Sequence, residues 1–380
     1  MSGVVDVAVV GGGVVGASVA YELTCAGATV ALIDASLPGR ASDAGAGIIS
    51  PETLHEPDPT FFEFGVRAGR YLRALVARLV DDGVDPGPEA FAPCGSLVVA
   101  LAEHEDPWFR DVRTVIETRS PGVSEIAPDA AREMFPPLGP LWRVLHSPFA
   151  ARVDGRALAH SVRVAAERRG VRSVSMQAVG VERRGERVTA VRGPDEVVPC
   201  DALVLAGGAW SADASPWLGQ NLPVTPTKGQ IVHVVVPGRA GATGPDSGRW
   251  PIVQPILNFY LVPWPGGRVA CGGTFEPEAG FDVRPTAAGV RDLLRECVAV
   301  APGLAQATLH EVRVGLRPTS ADDRPLLGPL PGWDNVHVCT GHGANGLLHG
   351  PYSGALVAGG VMGEAPETPA SYAAARFASP

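Results

Sequence analysis

The stretch AVVGGGVVGASVAYEL, from Ala8 to Leu23, followed by VALIDAS, from Val30 to Ser36, constrains the fold more than any other part of the chain. It reads as a buried strand, a glycine turn, a helix, a second strand and an acid at that strand's end. Gly11, Gly13 and Gly16 make a G-x-G-x-x-G, and Asp34 stands near the spacing of a ribose-binding acid. Gly11 permits the tight turn, Gly13 lets a pyrophosphate lie against bare backbone, and Gly16 lets the helix approach the strand. Val14 and Val15 open that helix, whose free N–H groups and positive end hold a diphosphate. Asp34, with Ala35 beside it, accepts hydrogen bonds from a ribose and opposes a 2′-phosphate. That excludes NADP better than it separates FAD from NAD. A bare G-x-G-x-x-G is also what a structural glycine turn looks like; the flanking strand, helix and acid favour dinucleotide binding.

A chain of 380 residues has room for one large or two interlocked domains. Its net charge of −9 argues against a nucleic-acid partner. Cys25, Cys94, Cys200, Cys271, Cys297 and Cys339 are scattered without a C-x-x-C; most sit in apolar segments and read as reduced core thiols, which fits a cytoplasmic location. The apolar start has no Lys or Arg before Arg40, so it lacks the basic region of a signal peptide. Asp334 to Glu364 encloses no formal charge but carries eight glycines and Pro351, the makings of a strand, a glycine loop and a buried helix rather than a membrane span. With no H-E-x-x-H and no paired Cys/His spacing, no metal is expected, and the absence of G-x-S-x-G gives no support to a serine hydrolase.

Three separated pieces, 1–50, 150–213 and 311–380, read as one discontinuous Rossmann-like dinucleotide domain. The pieces between them, 51–149 and 214–310, read as a second, substrate domain built on an antiparallel sheet flanked by helices. Phe61 to Leu79 and Thr286 to Val300 look helical. Gly95 to Leu101, Gly229 to Val236, Asn258 to Trp264 and Arg268 to Phe275 alternate like half-buried strands. Gly238 to Arg249 is a flexible loop by composition. The fold class is thus α/β combined with α+β.

Taken together, these pieces resemble the FAD-dependent glycine oxidase and D-amino-acid oxidase/dehydrogenase family, which includes sarcosine oxidase. The likeness rests on ASDAGAGIISP (Ala41–Pro51), DALVLAGGAWS (Asp201–Ser211), NFYLVPWPGGRVACGGT (Asn258–Thr274), EVRVGLRPTSADDRPLLGPLP (Glu311–Pro331) and CTGHGANGLLHGPYSGALVAGGVM (Cys339–Met362). It implies an FAD-binding fold, and in that light Ser42, Ala44, Gly45, Ala46, Gly47 and Ile48 form a second flavin loop. Their small side chains would let backbone approach a flat ring, or simply pack a turn. Ala206, Gly207, Gly208 and Trp210 would pass beside the cofactor, or make a plain strand-to-loop turn. Val179 matches the family's adenine-side backbone contact; from sequence alone it is a strand valine.

Gly343, Ala344, Asn345, Gly346, Leu347 and Leu348 open a helix whose N–H groups would stabilise negative charge on a reduced flavin, as an oxyanion hole does, or merely start a core helix. Arg317 can grip a carboxylate through two parallel hydrogen bonds, the role the family gives this position; the alternative is a structural ion pair with Glu311 or Asp322. Tyr260 matches a family tyrosine that adds a hydrogen bond, and is otherwise an ordinary strand aromatic. Ala344 replaces an arginine found in many glycine oxidases, so that either Arg317 holds the carboxylate alone or the substrate is held differently. His349 stands where the family has a small or apolar residue and either lines the pocket or sits in the core; His342 is similarly two-sided. Glu52 and His55 either border the pocket or belong to a solvated loop. No cysteine lies between Arg317 and Val338, and Cys339 stands outside the family's attachment motif, so the FAD is expected to be noncovalent.

The resemblance implies oxidation of the C–N bond of an amino acid or related amine. The α-hydrogen leaves as hydride to flavin N5, and the imine yields a keto acid and an amine. Electrons pass to O2 or another acceptor. The alternatives are a D-amino-acid dehydrogenase, an oxidase of a specialised amine and, in a different class, an NAD-dependent dehydrogenase. The family's members are often homo-oligomers.

Overall fold

The computed structural model describes residues 3–53, 58–238, 244–255, 259–365 and 367–377. Val7–Val9 of strand Val5–Val10, and all of strand Val30–Ile33, are apolar and buried on both faces, as the inner strands of a parallel sheet are. They lie side by side in a sheet ordered Gly180–Arg184, Arg187–Arg192, Val197–Leu205, Val5–Val10, Val30–Ile33, Arg172–Val174. Val197–Leu205 forks. Its first residues pair antiparallel with Arg187–Arg192, and its last pair parallel with both Val5–Val10 and Val336–Thr340. Strands distant in sequence thus end at one edge, where doubly wound folds bind ligands.

Helix Val14–Cys25 packs on helices Gly155–Arg168 and Gly346–Val361. Asp154 caps the second of these by accepting from the N–H groups of Arg156 (2.9 Å) and Ala157 (3.1 Å). Helix Pro59–Asp81 begins at a capping Asp58 with Pro59 behind it, and buries Phe61, Phe64, Ala68, Leu72, Leu75 and Leu79 at helical spacing. Its position in the chain suggests the second domain. Its buried face instead lies against Gly346–Val361 and shares the core of helix Val14–Cys25. An apolar stripe of that length needs a long partner, and the helices of the first sheet supply it.

The second sheet runs Thr308–Ser320, Val224–Val235, Arg268–Gly272, Tyr260–Pro263, Ile252–Pro255, Ser96–Ala100, Arg143–Ser147, Ser124–Ile126. It is antiparallel except that Ile252–Pro255 pairs parallel with Ser96–Ala100, two strands that no hairpin joins. Helix Ala287–Val300, capped by Thr286, covers one face. A sequence boundary at 311 falls inside the edge strand Thr308–Ser320, which pairs along its length with Val224–Val235. That strand also ties the two halves together, since the Leu316 N–H donates to the Gly39 carbonyl at 2.8 Å. A small sheet of Ile48–Ile49, Ala151–Val153 and Phe91–Pro93 sits at the junction. Of the loop expected from Gly238 to Arg249, residues 239–243 lie outside the described residues, and Ser247–Arg249 forms a 3₁₀ turn.

Candidate active site

A cavity of about 710 Å³ opens between the carboxyl ends of the parallel strands and one face of the second sheet. Gly11, Gly13, Val14 and Val15 line one end, with Asp34, Ala35 and Ser42. The segment Ala44–Ile48 follows, then Ala206, Gly207, Gly208, Trp210 and the loop His342–Leu348. Tyr260 and Arg317 line the far end.

Four of the residues singled out, Gly16, Val179, His349 and Glu52, lie elsewhere. Gly16 sits beneath the turn, where a Cβ would come within 1.8 Å of the Gly11 carbonyl oxygen. This is the close helix–strand approach its spacing implies. Val179 is outside the cavity wall and donates its N–H to the Arg192 carbonyl (2.8 Å); Met176, Gln177 and Ala178 form that wall. His349 is fully buried behind the cavity, its ring edge-on to Phe61 (4.8 Å) and Phe64 (5.2 Å). Helical phase decides this: His349 projects from Gly346–Val361 toward Pro59–Asp81, a neighbour that no local pattern reveals. His55 lies outside the described residues. Glu52 is buried, held by the Ser50 and Ser147 hydroxyls at 3.1 and 2.8 Å.

At the glycine-turn end, the Val14 N–H donates to the Ser42 hydroxyl at 3.0 Å. Only that hydroxyl, at 3.2 Å, stands near the missing Cβ of Gly13, leaving bare backbone beside the helix N-terminus. Asp34 shares one carboxylate oxygen with Arg40 (2.9 Å), which also grips Asp43 at 2.9 Å. Arg40 lines the cavity and was not singled out from the sequence; its signal was a cation six residues past the acid, in the same loop. Gly47 is required for a further reason than approach to a flat ring. Its φ is +80°, and a Cβ there would meet the Val153 carbonyl oxygen at 1.8 Å.

At the far end, the Arg317 guanidinium lies over Gly229, where a Cβ would stand 2.4 Å from Nη1, and donates to the Thr274 carbonyl at 3.0 Å. Neither acid that might have neutralised it does so. Glu311 pairs with Arg313 at 2.6 Å and Asp322 with Arg376 at 2.7 Å. Among the described residues no carboxylate pairs with Arg317, so its charge faces the cavity. Tyr260 accepts from Arg317. Burial pushes its hydroxyl up to about 12, the adjacent guanidinium pulling the other way, so it remains a donor.

Burial holds His342 at about 4 and His349 at about 3, and Nε2 of the first and both ring nitrogens of the second lack partners among the described residues. An imidazole whose pKa is depressed on folding favours the native state above the unfolded value and loses that contribution as pH falls toward the folded one. His349 alone is expected to cost about 2 kcal/mol between pH 8 and 5. Melting curves at those two pH values should show a smaller Tm difference in His349→Leu than in the parent chain.

The model of the family described as FAD dependent oxidoreductase (DAO) matches residues 6–359. The chain belongs to this family. It is a flavin-dependent oxidoreductase, and FAD is its cofactor. The cavity fits that cofactor, with an open backbone at Gly13, a helix N-terminus beside it, Asp34 on the wall at the same end and a second loop of small residues. Among relatives, a glycine oxidase of Pseudomonas aeruginosa is 31% identical over 377 residues, covering 97% of this chain and 98% of its own. An uncharacterised oxidoreductase, YurR, of Bacillus subtilis is 34% identical and covers 94% and 95%. Among solved structures, iminodiacetate oxidase from a Chelativorans species is 35% identical with a TM-score of 0.89, over 97% of this chain and 98% of that one. Glycine oxidase from Geobacillus kaustophilus is 26% identical with a TM-score of 0.89 over the full length of both. These likenesses place this family member in the glycine-oxidase fold, with mixed α/β architecture. No helix among the described residues is long and apolar enough to cross a membrane.

Proposed function

We propose that this flavoenzyme oxidises the C–N bond of a small amine that carries a carboxylate on the adjacent carbon. The observation that carries the reading is Arg317, a guanidinium without an acid partner among the described residues, set over Gly229 and beside Tyr260 in the cavity. It takes the carboxylate through charge-assisted hydrogen bonds, to which Tyr260 adds one. FAD, when bound, supplies the two-electron acceptor for the α-hydrogen. The protein's part is to hold the α-carbon still, keep water out with Ile231, Phe259 and Leu348, and aim the N–H groups of the Gly343–Leu348 turn at developing negative charge. No side-chain base is required if the amine binds neutral. Water then converts the imine to a keto acid and an amine. The relatives named glycine oxidase and iminodiacetate oxidase support an amino acid of this size and dioxygen as the acceptor.

Anaerobic addition of glycine, sarcosine, iminodiacetate, D-amino acids and cyclic imino acids tests the reading. At least one should bleach the flavin, and air should restore the colour. Bleaching by none of them would remove the proposal. Restoration only by a quinone would make the enzyme a dehydrogenase. A further expectation concerns attachment. Cys339 lines the cavity, but burial pushes its thiol well above the usual range, which leaves no thiolate to bond a flavin. Acid precipitation should release all the yellow colour into the supernatant.

A further inference from the structure

On the second sheet, the register that pairs Val253 with Leu261 sets Gln254 opposite Tyr260 on the same face, and both line the cavity. Tyr260 therefore stands between Arg317 and Gln254. Gln254 is not free to turn. Its Nε2 donates to the Thr53 hydroxyl at 3.1 Å, and that hydroxyl lies 2.7 Å from the Ser50 hydroxyl. The Ser50 hydroxyl in turn lies 3.1 Å from Oε1 of Glu52, which also accepts from Ser147 at 2.8 Å. Glu52 is only 8% exposed and pairs with no cation among the described residues.

A carboxylate only accepts, so it sets the direction of the whole chain. Ser50 donates to Glu52. The Thr53 hydroxyl donates to Ser50, either to Oγ or to the carbonyl oxygen at 3.2 Å. Thr53 must then accept from Gln254, whose amide is left with its NH2 inward and its carbonyl oxygen, unpartnered among the described residues, toward the cavity. A buried acid that is not itself on the cavity wall thus decides which atom of Gln254 the substrate meets.

We infer that Gln254 is a specificity-determining residue, oriented by Thr53, Ser50 and Glu52, that requires an N–H or O–H donor at the end of the substrate remote from the carboxylate. This rests on the reading of Arg317 as the carboxylate anchor. The site is polarised, with donors at Arg317 and Tyr260 and an acceptor at Gln254. A second carboxylate at the Gln254 end meets an oxygen lone pair rather than a donor. A substrate with a carboxylate at each end would therefore be disfavoured against one that ends in a donor.

Binding to the FAD-loaded enzyme, read from perturbation of the flavin spectrum, tests this without turnover. The two probes are diglycolate and (2-hydroxyethoxy)acetate, which are similar in length and differ in whether the second end is a carboxylate or a hydroxyl. The hydroxyl compound should bind about tenfold or more tightly. Glu52→Gln, which frees the chain to reverse, should bring the ratio toward one, and Gln254→Lys should invert it in favour of diglycolate. Equal binding of the two probes by the parent enzyme overturns the inference, as does an unchanged ratio in Gln254→Lys, a cavity-wall variant that leaves the buried acid in place. Binding of either probe that Arg317→Met leaves unaltered overturns the anchor reading and this inference with it.

Discussion

Arg317→Met is expected to lower kcat/KM for a carboxylate-bearing amine by about 100- to 1,000-fold while the purified protein stays yellow. The guanidinium makes backbone contacts to Thr274 and, at 3.4 Å, to Lys228, but its charge is not neutralised within the chain among the described residues. Removing it leaves a substrate carboxylate desolvated against Tyr260 alone. The loss is then that of a truncated charge pair, about 3–4 kcal/mol. If Arg317 were structural, the same change would lower Tm and leave KM in place. Arg317→Lys separates charge from geometry. A lysine keeps the attraction but cannot offer two parallel donors, so most of the loss should remain. Steady-state kinetics beside a thermal melt of the holoenzyme decides between the two. Among the described residues, no second arginine lines the far end of the cavity to compensate.

The second large effect belongs to the glycine turn, and two neighbouring glycines should fail in different ways. At Gly16 a Cβ would lie 1.8 Å from the Gly11 carbonyl oxygen and 3.2 Å from Cβ of Ala206. The obstacle is backbone and cannot rotate away, so helix Val14–Cys25 must shift off the sheet. Gly16→Ala should therefore cost about 3 kcal/mol or more in fold stability and yield a colourless, poorly folded product. At Gly13 the nearest atom is a serine hydroxyl at 3.2 Å, which can yield. Gly13→Ala should leave the melting temperature of the apoprotein nearly unchanged and weaken FAD by tenfold or more, because the new methyl occupies the space of the diphosphate. Thermal melts of apoprotein and a fluorescence titration of FAD measure both quantities. Equal Tm losses in the two variants would contradict the distinction.

Much of the site is legible in the order of residues because its chemistry is local. A turn, a helix N-terminus and an acid at a strand end are each specified within a few residues, so Gly11, Gly13, Asp34 and the Gly343–Leu348 turn line the cavity as their neighbours in sequence suggest. Helix caps at Asp58, Asp154 and Thr286 are local in the same sense. Other properties depend on what an element meets across space. His349 reads as core or as pocket, and the partners that hold it in the core, Phe61 and Phe64, come from a helix far away in the chain. Gly47 looks like clearance for a ring, yet the nearest obstacle is the carbonyl of Val153, more than a hundred residues away. Asp34 reads as a free acceptor, yet Arg40 folds back to hold it.

The nucleotide-binding turn and the presence of a half-buried second sheet followed from spacing and alternation alone, because both are properties of a single segment and its own backbone. Whether Arg317 carries a usable charge did not. Glu311 and Asp322 are near it in the chain, and only packing assigns them to Arg313 and Arg376 instead. The direction in which Gln254 turns its amide is the same kind of property, set by hydroxyls and an acid from a loop some two hundred residues earlier. Electrostatics and hydrogen-bond polarity are sums over neighbours in space, and those neighbours are named only when the chain has closed on itself.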